Sequence, residues 1–212
     1  MKPLVSSLLL SLSLAGSASA ANLVSNPGFE AGVSGWSLFI PQPDNANSQP
    51  VLSVVESGAR TGKKAAQMFS AQPGRFALGE KLFRVKTSPL ERIRIAVWYR
   101  GQLGATVKAG APGPILRVDF AHSDPEQPAP KVALLFANAT GALTGATKPL
   151  HVAADGPVEQ EWTKIEVVFE VPAGANRITF GLFAWGTTGG ILVDDFECEK
   201  VPATTALTPF KK

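Results

Sequence analysis

The chain is poor in the residues that metal and thiol chemistry use. It has 1 cysteine and 2 histidines in 212 residues. Cys198 alone cannot close an intrachain disulfide, and its place in an apolar run reads as a buried, unreactive thiol. His122 and His151 stand in no H-E-x-x-H or other metal-ligand spacing. No G-x-S-x-G nucleophile elbow occurs. Gly58 to Lys64, G-A-R-T-G-K-K, has the wrong spacing for a phosphate loop and no Ser or Thr after either lysine. A strong charge of one sign is also missing: 20 Lys and Arg face 17 Asp and Glu, a net of +3. The basic residues are spread along the chain, which argues against a nucleic-acid surface. Long hydrophobic runs are confined to the N-terminus. There, Lys2, the run Leu4 to Leu14 and the small residues Ala18-Ser19-Ala20 read as a signal peptide over residues 1–20, cut before Ala21. That run is too short to span a bilayer, and no later run does so. The expected location is therefore secreted or periplasmic.

Helical periodicity is lacking as well. What the chain has is 20 glycines and 17 prolines placed between short apolar runs, the punctuation of many strands and turns. Arg92 to Arg100 carries Ile93, Ile95, Val97 and Tyr99 in one phase. Lys164 to Val171 carries Ile165, Val167, Phe169 and Val171, and Arg177 to Trp185 carries Ile178, Phe180 and Leu182. Period-two alternation of β-branched and aromatic residues predicts strands. Further strands are expected over Val51–Val55, Ala65–Phe69, Phe76–Val85, Ile115–Phe120, Lys131–Phe136 and Ile191–Cys198. Loops are expected over 41–50, 121–130 and 139–158. Many short strands with Gly/Pro turns predict an all-β fold, a two-sheet antiparallel β-sandwich. One domain is expected over residues 21–201, followed by a polar tail over 202–212 that frays.

Four segments are more specific: N-L-V-S-N-P-G-F-E-A-G-V-S-G-W-S (Asn22 to Ser37), E-S-G-A-R-T-G-K-K-A-A (Glu56 to Ala66), E-W-T-K-I-E-V-V-F-E-V-P-A-G-A (Glu161 to Ala175) and G-I-L-V-D-D-F-E (Gly190 to Glu197). In this order they resemble the carbohydrate-binding modules of families 4, 9 and 22, which have a galactose-binding-like jelly roll. Residues 101–160 match poorly. The resemblance implies a structural Ca²⁺, held by the Gly28 carbonyl, the Glu30 and Glu56 carboxylates, a carbonyl within residues 59–61 and Asp194. Six to eight oxygens of these kinds suit calcium. Asp194 is preferred over Asp195 because Phe196 and Cys198 share its phase. The alternative is that these acids cap turns or pair with Arg60 or Lys63.

Sugar rings present apolar C–H faces and a rim of hydroxyls, so a site needs aromatic platforms and polar side chains. Phe183 and Trp185 lie opposite the core phase of their strand, with Arg177 and Thr179. Arg94, Trp98 and Arg100 do the same on theirs. The resemblance implies that these two strands line one cleft on the concave sheet, which makes Trp98, Arg100, Phe183, Trp185 and Arg94 the candidate ligand residues. The alternative is that one or both tryptophans fill the core. Trp36 and Trp162 fall in the recurring motifs and read as structural. No catalytic residue is assigned. Two carboxylates set across a cleft would make a glycosidase, and Asp119 with Glu166 is one pairing open to the chain. Asn138-Ala139-Thr140 is a glycosylation sequon. The expected function is a non-catalytic polysaccharide- or oligosaccharide-binding module. The alternatives are an adhesive sandwich without sugar binding and a jelly-roll hydrolase or lyase.

Overall fold

The computed structural model describes residues 21–40, 50–80, 85–128, 130–143 and 156–210. The expected signal peptide, most of the 41–50 loop and part of the 139–158 loop lie outside the described residues. Among the described residues, fourteen strands run in order: β1 (Trp36–Phe39), β2 (Val51–Val55), β3 (Ala65–Gly74), β4 (Ala77–Glu80), β5 (Val85–Lys86), β6 (Arg92–Gly101), β7 (Thr106–Val107), β8 (Gly113–Ala121), β9 (Leu134–Asn138), β10 (Gly141–Leu143), β11 (Gly156–Pro157), β12 (Thr163–Glu170), β13 (Arg177–Trp185) and β14 (Thr187–Val201). They form two antiparallel sheets. The first has the order β1-β4-β13-β8-β9-β10, with β5 also on β13. In the second, β14 lies between β3 and β6, β2 flanks β3, and β12 flanks β6. The short β7 and β11 continue from the start of β14. This is a β-sandwich with a jelly-roll fold.

The alternating residues meet between the sheets. Ile178, Phe180 and Leu182 of β13 and Leu116, Val118 and Phe120 of β8 face Ile93, Ile95 and Val97 of β6 and Ile165, Val167 and Phe169 of β12. Cys198 is buried among them, and burial pushes its thiol up to about 12, so it stays protonated and inert. The segment at Asn22 is sewn to the second sheet. The Asn22 amide donates to the Phe196 carbonyl, and its Oδ1 accepts from the Cys198 N–H. The Asn26-Pro27-Gly28-Phe29 turn closes on Trp36, whose Nε1 donates to the Asn26 carbonyl at 3.0 Å. Phe29 has φ +56 and is fully buried. A left-handed backbone costs a bulky residue about 1–2 kcal/mol, which burial of its ring against Trp36, 4.8 Å away, offsets.

The tail differs from expectation. Residues 202–210 do not project as a free end: the Thr208 N–H donates to the Val168 carbonyl at 2.9 Å, and the Val168 N–H donates to the Thr208 hydroxyl at 2.8 Å. The Arg92 guanidinium holds the Thr205 carbonyl. β12 is an edge strand, and the tail covers its unpaired backbone groups.

Candidate functional site

The five expected ligand residues do not share a cleft. Arg94, Trp98 and Arg100 project from β6, in the second sheet, and Phe183 and Trp185 from β13, in the first. Each set points away from the core, so the two stand on opposite outer faces of the sandwich. The alternation within each strand is as expected; the assumption that β6 and β13 belong to one sheet is what fails.

On the second sheet, the three residues are occupied by neighbours in the chain. Arg94 pairs with Glu197 at 2.9 Å, Glu199 at 3.0 Å and Glu166 at 3.4 Å. Trp98 lies under the Arg60 guanidinium, 3.8 Å from its ring centroid, with Lys164 5.9 Å away. Arg100 donates to the Gly58 carbonyl at 3.1 Å and lies 5.4 Å from the Trp162 ring. These contacts clamp the loop over residues 56–64 onto β6.

The outer face of the first sheet is different. Its centre line is β13, where Arg177, Thr179, Gly181, Phe183 and Trp185 point outward along roughly 26 Å of strand at 3.3 Å per residue. Thr179 stands opposite Asp119 and Gly181 opposite Arg117 on β8. Gly181 also faces Gly79 on β4, and Phe183 faces Ala77, which in turn faces Phe39 on β1. Trp185 is half-buried, with the Arg75 guanidinium 5.1 Å from its ring. Arg117 and Asp119 form a two-pronged pair, with Nη2 to Oδ1 at 2.5 Å and Nε to Oδ2 at 3.0 Å. Phe39 is 56% exposed. Phe183 departs from expectation: it is buried in a small cluster with Ala77, Ile115 and Phe136, separate from the main core, with Arg117 5.5 Å from its ring. The face thus offers an exposed ring, a half-buried ring and a polar strip. Arg117, Asp119 and Phe39 were not singled out as ligand residues. Their strands carry the outward phase in the sequence, but nothing local says that β1 and β8 share a sheet with β13.

Asp119 and Glu166 do not pair across a cleft, because β8 and β12 lie in different sheets and the two carboxylates point from opposite faces. The sequon residue Asn138 is buried, its Oδ1 accepting from the Thr140 N–H and hydroxyl.

Two of the acids proposed to hold calcium, Asp194 and Glu30, are bound by N–H groups. Asp194 Oδ2 accepts from the Arg60 and Thr61 N–H groups at 2.9 and 3.2 Å, and Oδ1 from the Asp195 N–H at 2.8 Å. Glu30 Oε1 accepts from the N–H groups of Lys63 and Lys64 at 2.8 and 2.9 Å, which hold its carboxyl below the usual range. Asp195 takes the Arg60 guanidinium and the Thr61 hydroxyl. Gly28 sits beside Asp194 and Asp195, and Glu56 lines a shallow pocket with Gly58, Gly62, Lys63 and Lys64. Among the described residues, no three acid, histidine or cysteine side chains gather as a metal site. Through these bonds Asp194, Asp195 and Glu30 staple the 56–64 loop. The phase argument for Asp194 also changes. A bulge between Asp194 and Glu197, with Asp195 at φ +48, shifts the register, so Asp194 pairs with outward-facing Trp98 while Phe196 and Cys198 point inward. Asp194 is buried because the loop covers it.

Burial, and next the nearby Asp195 charge, push the Asp194 carboxyl up to about 6 from 3.8. An acid with a raised folded pKa binds its proton more tightly in the folded state. Its contribution to stability therefore grows as pH falls from above 6 toward 3.8, by about 1 kcal/mol between pH 7 and pH 5. Denaturation at both pH values should show that gain in the wild type and its loss in Asp194→Asn, and added Ca²⁺ should leave the curves in place. A bound cation would lower the Asp194 pKa and reverse the sign.

No family model matches the sequence, and no curated protein matches it. Solved structures share the fold. The family 61 carbohydrate-binding module TmCBM61, in complex with β-1,4-galactotriose, aligns over 86% of this chain and 100% of its own, at 19% identity and TM-score 0.51. The CBM22-1 xylan-binding domain from Paenibacillus barcinonensis Xyn10C aligns over 86% of this chain and 96% of its own, at 16% identity and TM-score 0.52. The enzymatically active domain of tailspike protein 4 from bacteriophage CBA120 aligns at 12% identity and TM-score 0.54, over 85% of this chain and only 21% of its own. The shared feature is the jelly roll.

Proposed function

We propose that this chain is an extracellular glycan-binding module that holds a polysaccharide along the outer face of the first sheet. One observation carries the reading: β13 and its neighbours align the half-buried Trp185 and the exposed Phe39 with a partly exposed polar strip of Arg117, Asp119 and Thr179 on one face. Trp185 offers an apolar plate to a sugar C–H face, and the strip offers donors and acceptors to its hydroxyls. The fold held in common with modules described as galactotriose-bound and xylan-binding supports this reading. The N-terminal segment read as a signal peptide supports export.

Affinity electrophoresis in gels containing xylan or β-1,4-galactan, or the charged glycans considered below, tests it. Trp185→Ala should weaken retention about 10-fold, as loss of a central aromatic anchor does, and should barely move the melting temperature. Trp98→Ala, on the opposite face, should leave retention unchanged. Equal retention of the wild type and Trp185→Ala would remove this face from consideration. Silence across all glycans would favour an adhesive sandwich without sugar binding.

A further inference from the structure

We infer that the glycan taken by the first sheet is anionic, carrying carboxylate or sulfate groups that sit between Arg177 and Lys86. This deepens the glycan-binding reading and rests on it. The observation is a contrast between the two outer faces. On the second sheet, most outward cations are matched by carboxylates, Arg92 with Glu170, Arg94 with three glutamates, Lys164 with Glu166 and Lys200 with Glu91, while Arg100 donates to the Gly58 carbonyl. On the first sheet, Arg117 is matched by Asp119. Arg177 and Lys86 are not. They stand directly opposite each other on β13 and β5, two like charges in one antiparallel pair. Among the described residues, no carboxylate comes within salt-bridge distance of either, and the buried Nε of Arg177, like those of Arg92 and Arg100 on the other sheet, has no hydrogen-bond partner.

Opposed like charges in a sheet are destabilising, and a buried donor left unbonded carries a desolvation penalty. The first cost vanishes if an anion lies between the two groups: it neutralises the pair and accepts from the guanidinium. The pair sits at one end of the strip and Trp185 at the other, with Asp119 between them. A nucleic-acid strand carries a charged phosphate on every nucleotide and would set phosphate against Asp119. A sugar chain with spaced acidic groups meets the cations and stacks on the ring without that repulsion.

The test compares glycans that differ in charge and share a backbone: polygalacturonate against its methyl ester, and dextran sulfate against dextran. Binding to the full chain is measured by calorimetry at low and high NaCl. The expected result is affinity for at least one charged member about 10-fold or more above its neutral partner, falling with salt. Which charged member wins distinguishes carboxylate from sulfate. Arg177→Gln and Lys86→Gln should each erase the preference, while Lys200→Gln on the other sheet keeps it; melting curves verify that the variants fold. Equal binding to charged and neutral partners, or a preference that survives Arg177→Gln, overturns the inference and leaves neutral glycan binding standing. Equally tight binding of a single-stranded DNA oligomer also overturns it. Failure to bind any of these glycans, xylan or galactan defeats the glycan-binding reading itself.

Discussion

Trp36→Ala should destabilise the protein by about 3–5 kcal/mol, the usual cost of truncating a buried aromatic to Ala. Trp36 is 4% exposed and lies between Phe29 and Phe196, with centroids at 4.8 and 4.9 Å. It thereby joins the N-terminal turn to the last strand. Truncation opens a cavity between them and leaves the Asn26 carbonyl without the indole N–H. For a domain of this size each kcal/mol is worth roughly 2–4 °C, so a fall of roughly 6–20 °C is expected by calorimetry. A loss below about 1 kcal/mol would mean that the turn is held elsewhere, with the Asn22 bonds to β14 as the first suspects. Because Trp36 points into the core from β1, the variant that still folds should keep its glycan affinity.

Gly181→Ala should cost about 1–3 kcal/mol, the range for forcing extra volume into a packed region, and Gly79→Ala should cost far less. The two glycines are cross-strand partners on β13 and β4. A Cβ on Gly181 would lie 2.7 Å from the Leu78 carbonyl oxygen, which is backbone and cannot swing aside. A Cβ on Gly79 would meet the Phe180 carbonyl oxygen at 3.5 Å, an ordinary contact. Chemical denaturation of both variants measures the difference. Equal costs would mean that β4 shifts freely on β13. The expected shift of β4 would also displace Ala77 and the rings beside it, so Gly181→Ala should weaken glycan retention where Gly79→Ala does not.

These two cases show where sequence reading reaches. Trp36 was legible as structural because its motif places it, and the burial agrees. The asymmetry between Gly79 and Gly181 was not legible, because it depends on how closely two strands about a hundred residues apart approach each other. The ligand face divides in the same way. The outward phase of Phe183 and Trp185 follows from alternation with Ile178, Phe180 and Leu182, and the structure keeps it. Arg94, Trp98 and Arg100 alternate just as regularly, yet they belong to the other face.

Local pattern determined that this chain makes strands, where most of them run, and which side chains of each share a face, because the period of two is a property of the extended backbone itself. Pairing decided the rest. Which strands became neighbours depends on hydrogen bonds and packing between distant segments, so only the fold could put β6 and β13 in opposite sheets and bring Arg117 and Asp119 beside β13. A single extra residue at Asp195 reversed the phase of Asp194 relative to Phe196, which alternation does not foresee. The tail, polar enough to read as free, was claimed by the open edge of β12. Cations that lie scattered along the sequence were sorted by the fold into a largely matched set on one face and a face that holds the unmatched pair Arg177 and Lys86, because net charge is a sum along the chain, whereas the field a ligand meets depends on where each charge stands.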